Sequence, residues 1–128
     1  MPAERNLTAI FVLLGALSGA AGVALGAFGA HALRSHMTPE RQSVFETGVR
    51  YQLIHALALL FVGIGAGNIL NGVWLGAAGW LFVVGTILFS GSLYLLVLSD
   101  RRWLGAITPF GGIALILGWL CLAASALT

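Results

Sequence analysis

Three long stretches of the chain carry no charged side chain, and this segregation constrains the fold more than any motif does. They lie between Arg5 and Arg34, between Arg50 and Asp100, and after Arg102. The first, residues 6–33, would span about 42 Å as a helix, more than the ~30 Å hydrocarbon core of a bilayer. Backbone amides in lipid must bond within their own segment, so such stretches form helices. Only 8% of the residues are charged, against roughly 25% in soluble domains. The sequence therefore predicts an integral membrane protein.

The apolar stretches divide into four predicted spans within one transmembrane domain, residues 1–128. Asparagine and glycine in NILNG (68–72) favour a tight reversal between the second and third spans. The sequence SDRR (99–102) forms the next connection. The predicted fold class is an all-α, integral membrane four-helix bundle, with helices at about 7–33, 39–67, 73–99 and 109–126.

The second helix has a clear start signal. Thr38 can cap the helix, Pro39 suits its first position, and Glu40 favours the positive end of the helix dipole. The first three turns are amphipathic and the remainder is apolar. We expect one continuous helix that starts at the membrane interface and then enters the bilayer.

The start of the fourth helix has two alternatives. If Thr108 caps a helix beginning at Pro109, residues 109–126 give about 27 Å, just enough to span. Residues 103–107 would then lie in the interface. The alternative is one kinked helix from Trp103, and we favour the first arrangement.

Arginines predict the orientation of the chain. With four spans, the connections after helices one and three share a side and hold five of the six arginines, with Arg5 opposite. Positive residues favour the cytoplasm, so both termini are expected outside it. Since the net charge of +2 sits at membrane edges, the lipid bilayer is the expected partner and nucleic acid is not.

The first helix carries a stripe of small residues. Glycines recur at spacings of four and three on one face, and close backbone approach through such residues supplies packing in lipid. We expect the stripe to pack within the bundle; the alternative is a seam between copies of the chain. Its members are Gly15, Gly19, Gly22, Gly26 and Gly29.

Polar side chains concentrate near the predicted cytoplasmic ends of the spans. Histidines within membrane segments are candidates for function, and Glu46 precedes Arg50 by four residues, the order that favours an ion pair. Ser92 and Tyr94 are further potential partners on the third helix. The candidate polar cluster consists of His31, Glu46, Arg50, Tyr51, Gln52, His55, Ser90 and Thr108.

We predict no catalytic, metal or cofactor site. Sequences of the type HExxH, GxSxG, CxxC or a Walker loop do not occur. Haem or quinone held between His31 and His55 is a weaker hypothesis, because a third ligand and a haem motif are missing. Cys121 is expected to pack in the last span.

Several strings together resemble one known family. They are GAFGAHAL (26–33), VFETGVRYQLIHALALL (44–60), FSGSLYLL (89–96), LGAITPFGG (104–112) and the pair Gly118-Trp119. In this order they resemble the small YgdD/YwdK-type membrane proteins, which share a domain of unknown function with human transmembrane protein 256. The resemblance covers nearly the whole chain. It implies a four-helix protein of the bacterial inner membrane, or of mitochondria in a eukaryote, and no established activity.

The leading functional hypothesis is a non-enzymatic structural or assembly component. A second copy of the chain or another membrane protein would be its partner. The alternative is a small transporter, channel or lipid-binding protein that uses the polar cluster as a cytoplasmic-side pocket.

Overall fold

A computed structural model describes residues 2–66, 70 and 72–127, with side chains from Asn6 onward. It confirms the predicted all-α membrane architecture. The helices are α1 (Pro2–His31), α2 (Pro39–Gly65), α3 (Val73–Ser99) and α4 (Thr108–Ser125). Two short 3₁₀ helices, Arg34–His36 and Arg102–Ala106, lie in the connections. Four helical segments are long and apolar enough to cross a membrane: Asn6–His31, Pro39–Gly65, Val73–Ser99 and Arg102–Ser125.

The connection between α2 and α3 is described only in part. Residues 67–69 and 71 of the predicted turn, and the predicted end of the second helix at residue 67, lie outside the described residues. Ala66 caps α2, and the Leu70 amide donates to the Gly65 carbonyl (3.1 Å). Gly72 precedes α3 with φ +89°, a left-handed conformation that glycine adopts without strain.

The start of α2 follows its sequence signal. The Thr38 hydroxyl accepts a hydrogen bond from the Arg41 amide (3.3 Å), and Pro39 opens the helix. The cap satisfies one of the amides left free at a helix start. The α2 helix is continuous from Pro39 to Gly65, as expected of a helix that enters the bilayer from the interface.

The proposed cap of α4 is wrong. Ile107 occupies the cap position, and Thr108 is the first residue of the helix. The Thr108 hydroxyl lies 2.6 Å from Ser92 Oγ on α3 instead of bonding an amide at its own helix start. A 3₁₀ helix with an exposed Trp103 precedes α4, so the chain is not one α-helix from Trp103.

Each helix packs mainly against its neighbour in the chain, α1 on α2, α2 on α3 and α3 on α4. Phe11 from α1 also reaches α3, where it lies against Gly79 and the Trp80 ring. The apolar core lies where these helices meet, and its buried side chains include Phe11, Leu59, Val62, Ala78, Phe82 and Leu115.

The glycine stripe of α1 faces α2. A Cβ at Gly15 would lie 2.9 Å from the Ala56 carbonyl oxygen, which is closer than real Cβ contacts allow. At Gly19 the nearest atom, Ala56 Cβ, would be 3.9 Å away, an ordinary contact. The remaining positions meet side chains of α2: Leu53 at Gly22, Val49 at Gly26 and Phe45 at Gly29. The stripe therefore meets the α2 backbone at Gly15 and leaves room for α2 side chains at the later glycines.

An ion pair fixes the ends of two helices to each other. Arg41, in the first turn of α2, pairs with Asp100, the residue that caps α3. A second nitrogen of the guanidinium donates to the Val97 carbonyl (3.5 Å). The α1–α2 and α3–α4 connections therefore lie at the same end of the molecule.

Candidate functional site

Gln52 joins three helices in the interior. Its side chain is only 6% exposed. Its Nε2 donates to the Ser18 carbonyl of α1 (2.9 Å), and its Oε1 accepts from the Tyr94 hydroxyl of α3 (2.6 Å). An amide in this setting needs both partners, because an unpaired polar group in an apolar interior is costly. Gln52 therefore acts as a polar cross-link between α1, α2 and α3.

Ser90 forms a second link, between α3 and α2. Its buried hydroxyl donates to the Gly48 carbonyl (2.7 Å). Gly48 has no side chain, and a Cβ there would lie 2.8 Å from the Tyr94 ring. The missing side chain thus leaves room for the Tyr94 ring that bonds Gln52.

His55 is the buried imidazole of the site, 4% exposed. Its Nδ1 lies 2.7 Å from the Tyr51 carbonyl, and its Nε2 lies 3.0 Å from the indole Nε1 of Trp119 on α4. A carbonyl only accepts and an indole N–H only donates, which assigns the proton to Nδ1 and the lone pair to Nε2. Both ring nitrogens are engaged, so a ligand at Nε2 would have to displace Trp119.

Ser92 and Thr108 join α3 to α4. The two hydroxyl oxygens are 2.6 Å apart, and Ser92 also donates to the Phe89 carbonyl (2.9 Å). With the Ser92 proton directed at that carbonyl, the Thr108 hydroxyl has two acceptors within reach, Ser92 Oγ and the more distant Leu104 carbonyl (3.5 Å). Thr108 is the first residue of α4 and not its cap, so its hydroxyl is not placed to accept from an amide of the first turn.

The structure divides the candidate polar cluster. Gln52, His55 and Ser90 are buried and Thr108 is half-buried, whereas the other four side chains are exposed. The exposed members are His31, Glu46, Arg50 and Tyr51. Among the described residues, the buried members form separate hydrogen-bonded links between helices.

His31 and His55 are not brought together. The contacts of α1 with α2 place Gly22 beside Leu53 and Gly19 beside Ala56, so His55 is level with residues 19–22. His31 lies about 15 Å further along α1 at 1.5 Å per residue. The hypothesis of haem or quinone between these two histidines, and the expectation that His31 faces a shared polar cluster, therefore require correction.

Glu46 bonds a different partner from the one its spacing favours. Its Oε1 accepts from Gln42 Nε2 (3.2 Å). Within the described part of the chain, the carboxylate that pairs with an arginine is Asp100, on Arg41. Glu46 and Arg50 are both exposed, and an ion pair between them would add little stability.

Sequence reasoning missed two partners, Trp119 and Ser18. Trp119 carries a sequence signal, since an indole N–H in an apolar helix needs an acceptor and His55 is a polar side chain within another span. Ser18 carries none, because its contribution is a backbone carbonyl, and any residue supplies one.

The four spans, their internal polar cross-links and their short connections define a small helical integral membrane protein. The chain belongs to the DUF423 family of proteins of unknown function, whose family profile matches residues 25–112. It is 46% identical over 117 residues to a UPF0382 membrane protein of Staphylococcus haemolyticus, with 91% of this chain and 93% of that protein covered. It is 42% identical to the UPF0382 membrane protein YwdK of Bacillus subtilis, over 91% and 95% of the two chains. The family resemblance seen in the sequence is thereby confirmed. No solved structure matches the chain.

Proposed function

We propose that this protein is a non-enzymatic membrane component that associates, within the bilayer, with a transmembrane helix of another subunit or of a second copy. The proposal rests on one observation, the location of the protein's accessible surface. Nearly all described residues belong to the four spans, so the surface available to a partner is the lipid-facing side of the helices.

The outer face of α1 offers the closest approach to another helix. Alanines recur there and are exposed, on a different face from the glycines that meet α2. Small residues allow two backbones to approach in lipid, where apolar side chains give little drive for association. This alanine face consists of Ala9, Ala16, Ala20, Ala24 and Ala27.

The interior supports a structural role. The buried polar side chains that could act in catalysis each form a hydrogen bond within the chain. They are Gln52, His55 and Ser90. A general base needs a free lone pair directed at a substrate, but His55 Nε2 accepts from Trp119. These bonds hold the helices in place, and the transporter or pocket alternative gains no support from them.

We place the protein in the bacterial plasma membrane, the inner membrane of a two-membrane cell, with both termini outside the cytoplasm. A eukaryotic relative would occupy a mitochondrial membrane. The family's bacterial membrane proteins support the first placement. The arginine asymmetry supports the orientation, because Arg41 and Asp100 hold the two arginine-rich connections at one end.

Photo-crosslinking in intact membranes tests the association. A photoreactive phenylalanine at position 20 lies on the alanine face, and the same residue at position 21 is exposed but turned by 100°. We expect the photoreactive residue at position 20 to crosslink to a protein. The adduct should have twice the chain's mass if the partner is a second copy, and a different mass if the partner is another subunit. Position 21 should give lipid adducts.

Native mass spectrometry from mild detergent complements the crosslinking. An assembly larger than one chain is expected, and substituting Ala20→Leu should disrupt it while Ala21→Leu leaves it intact. A strictly monomeric protein that gives only lipid adducts from position 20 would overturn the proposal.

A further inference from the structure

A cavity of about 320 Å³ lies where the α1–α2 connection meets the first turns of α2. Its position is at the membrane edge, since the first span ends at His31 and the second begins at Pro39. Residues 39, 42, 43 and 46 share one face of α2 at helical spacing. The lining residues are Arg34, Met37, Pro39, Gln42, Ser43 and Glu46.

The cavity carries charges of both signs. Arg34 and Glu46 are both exposed, and within the described part of the chain neither forms an ion pair with the other. The Arg34 guanidinium therefore has its donors available for an anion, and the Glu46 carboxylate has acceptor capacity beyond its bond from Gln42.

Gln42 lines the cavity one turn before Glu46 on the same face of α2. Its Nε2 faces two acceptors, the Gly29 carbonyl (3.5 Å) and the Glu46 carboxylate (3.2 Å), which sets the orientation of the amide. Its Oε1 is buried and has no hydrogen-bond donor among the described residues. The bond from Gln42 therefore holds the Glu46 carboxylate at the edge of the cavity.

We propose that this cavity binds the headgroup of a phospholipid that carries a phosphate and a primary ammonium group. Arg34 binds the phosphate, and the Glu46 carboxylate accepts hydrogen bonds from the ammonium. Met37 and Pro39 lie against the glycerol region, and the acyl chains extend into the adjoining bilayer.

Charge and hydrogen bonding select this class of ligand. A lone phosphate would pair with Arg34 but be repelled by Glu46. A lone cation would pair with Glu46 but be repelled by Arg34. A quaternary ammonium has no N–H to donate, and the aromatic rings that recognise such groups are missing from the described lining. The phosphoethanolamine group combines a phosphate with three N–H donors.

Lipid binding to the unmodified protein tests the proposal first. Phosphatidylethanolamine, phosphatidylcholine and phosphatidylglycerol with identical acyl chains are titrated into the detergent-solubilised protein and followed by native mass spectrometry. We expect the ethanolamine lipid to bind about tenfold more tightly than the other two, because hydrogen bonds to a charged group are worth that factor or more. Equal binding of all three, or a preference for the glycerol lipid, would overturn the proposal.

Substitutions of Arg34 and Glu46 test which part of the headgroup each residue binds. Glu46→Gln should remove the preference for the ethanolamine lipid over the glycerol lipid. Arg34→Gln should weaken the binding of both lipids about tenfold. Glu40→Gln and Arg102→Gln, exposed charges outside this cavity, should leave the preference unchanged. An unchanged preference in Glu46→Gln with retained thermal stability would contradict the assignment.

Soluble competitors separate a lipid site from a simple anion site. Inorganic phosphate and glycerophosphoethanolamine are added at equal concentration to the lipid-bound protein. We expect glycerophosphoethanolamine to displace the lipid at lower concentration than phosphate does. Displacement by phosphate at the same or lower concentration would show an anion site and overturn the proposal.

Discussion

The hydrogen bond between Trp119 and His55 joins α4 to α2 inside the bilayer (3.0 Å). The Trp119 ring also contacts Phe82 edge-on, with centroids 5.0 Å apart. Among the described residues, this indole is the donor that His55 Nε2 accepts from. The bond connects two helices that are not neighbours in the chain.

Substituting Trp119→Phe keeps an aromatic ring but removes the donor. We expect the free energy of unfolding to fall by about 1–2 kcal/mol, since hydrogen bonds between membrane helices average ~0.6 kcal/mol and a buried unpaired acceptor adds a penalty. Reversible unfolding with increasing SDS in mixed micelles measures the change. Trp103→Phe, at a position 59% exposed, is the control, and an equal loss in both variants would contradict the role of the bond.

At the residue scale, the sequence identified the buried polar side chains better than their partners. Gln52 and His55 stand out as polar residues within an apolar span, so they could be named without a structure. Their partners depend on the rotation and register of neighbouring helices, which composition does not determine. Thr108 shows the same limit, because its position before Pro109 matches a cap, whereas in the structure it is the first helical residue and its hydroxyl contacts Ser92 on α3.

At the scale of helices, glycines set how closely α3 and α4 approach. Gly111 lies against the Phe89 backbone, and a Cβ at Gly111 would overlap the Phe89 amide nitrogen. Gly118 likewise leaves room for the Phe82 ring, which a Cβ would meet at 2.7 Å. The close approach of α3 and α4 therefore depends on the absence of a Cβ at Gly111 and Gly118.

Adjacent glycines of α4 provide a matched pair of substitutions. Gly111→Ala should lower the free energy of unfolding by about 1–3 kcal/mol, the cost of overpacking against a rigid backbone. Gly112→Ala should be neutral or slightly stabilising. Its Cβ would lie 3.7 Å from the Phe89 ring, an ordinary contact, and alanine has a higher helix propensity than glycine. Unfolding in mixed micelles again gives both values. Equal effects would show that the close approach at Gly111 is not what limits packing.

Helix positions follow from the sequence more directly than helix contacts do. Uncharged stretches locate the spans because the bilayer imposes their length. The glycine stripe of α1 identifies one face, but the face alone leaves open which helix covers it. Only the structure shows that α2 does so, with Val49 and Leu53 as neighbours.

At the scale of the whole molecule, the arginine-rich connections and the Arg41–Asp100 pair give the protein two different ends. In a bacterial host, alkaline phosphatase fused after the last residue should be active, since that enzyme folds only outside the cytoplasm. The same fusion inserted after Asp100 should be inactive. The reverse pattern would contradict the proposed orientation.

The second helix is the least apolar of the four, with a mean hydropathy of 1.4 against 1.9 to 2.3 for the others. It also contributes Gln52 and His55, whose polar groups are costly to leave unpaired in lipid. Because α1 precedes α2 in the chain, we expect the Ser18 carbonyl to be available to Gln52 when α2 enters the membrane. We therefore expect α2 to insert less efficiently when α1 is removed or replaced by an unrelated span.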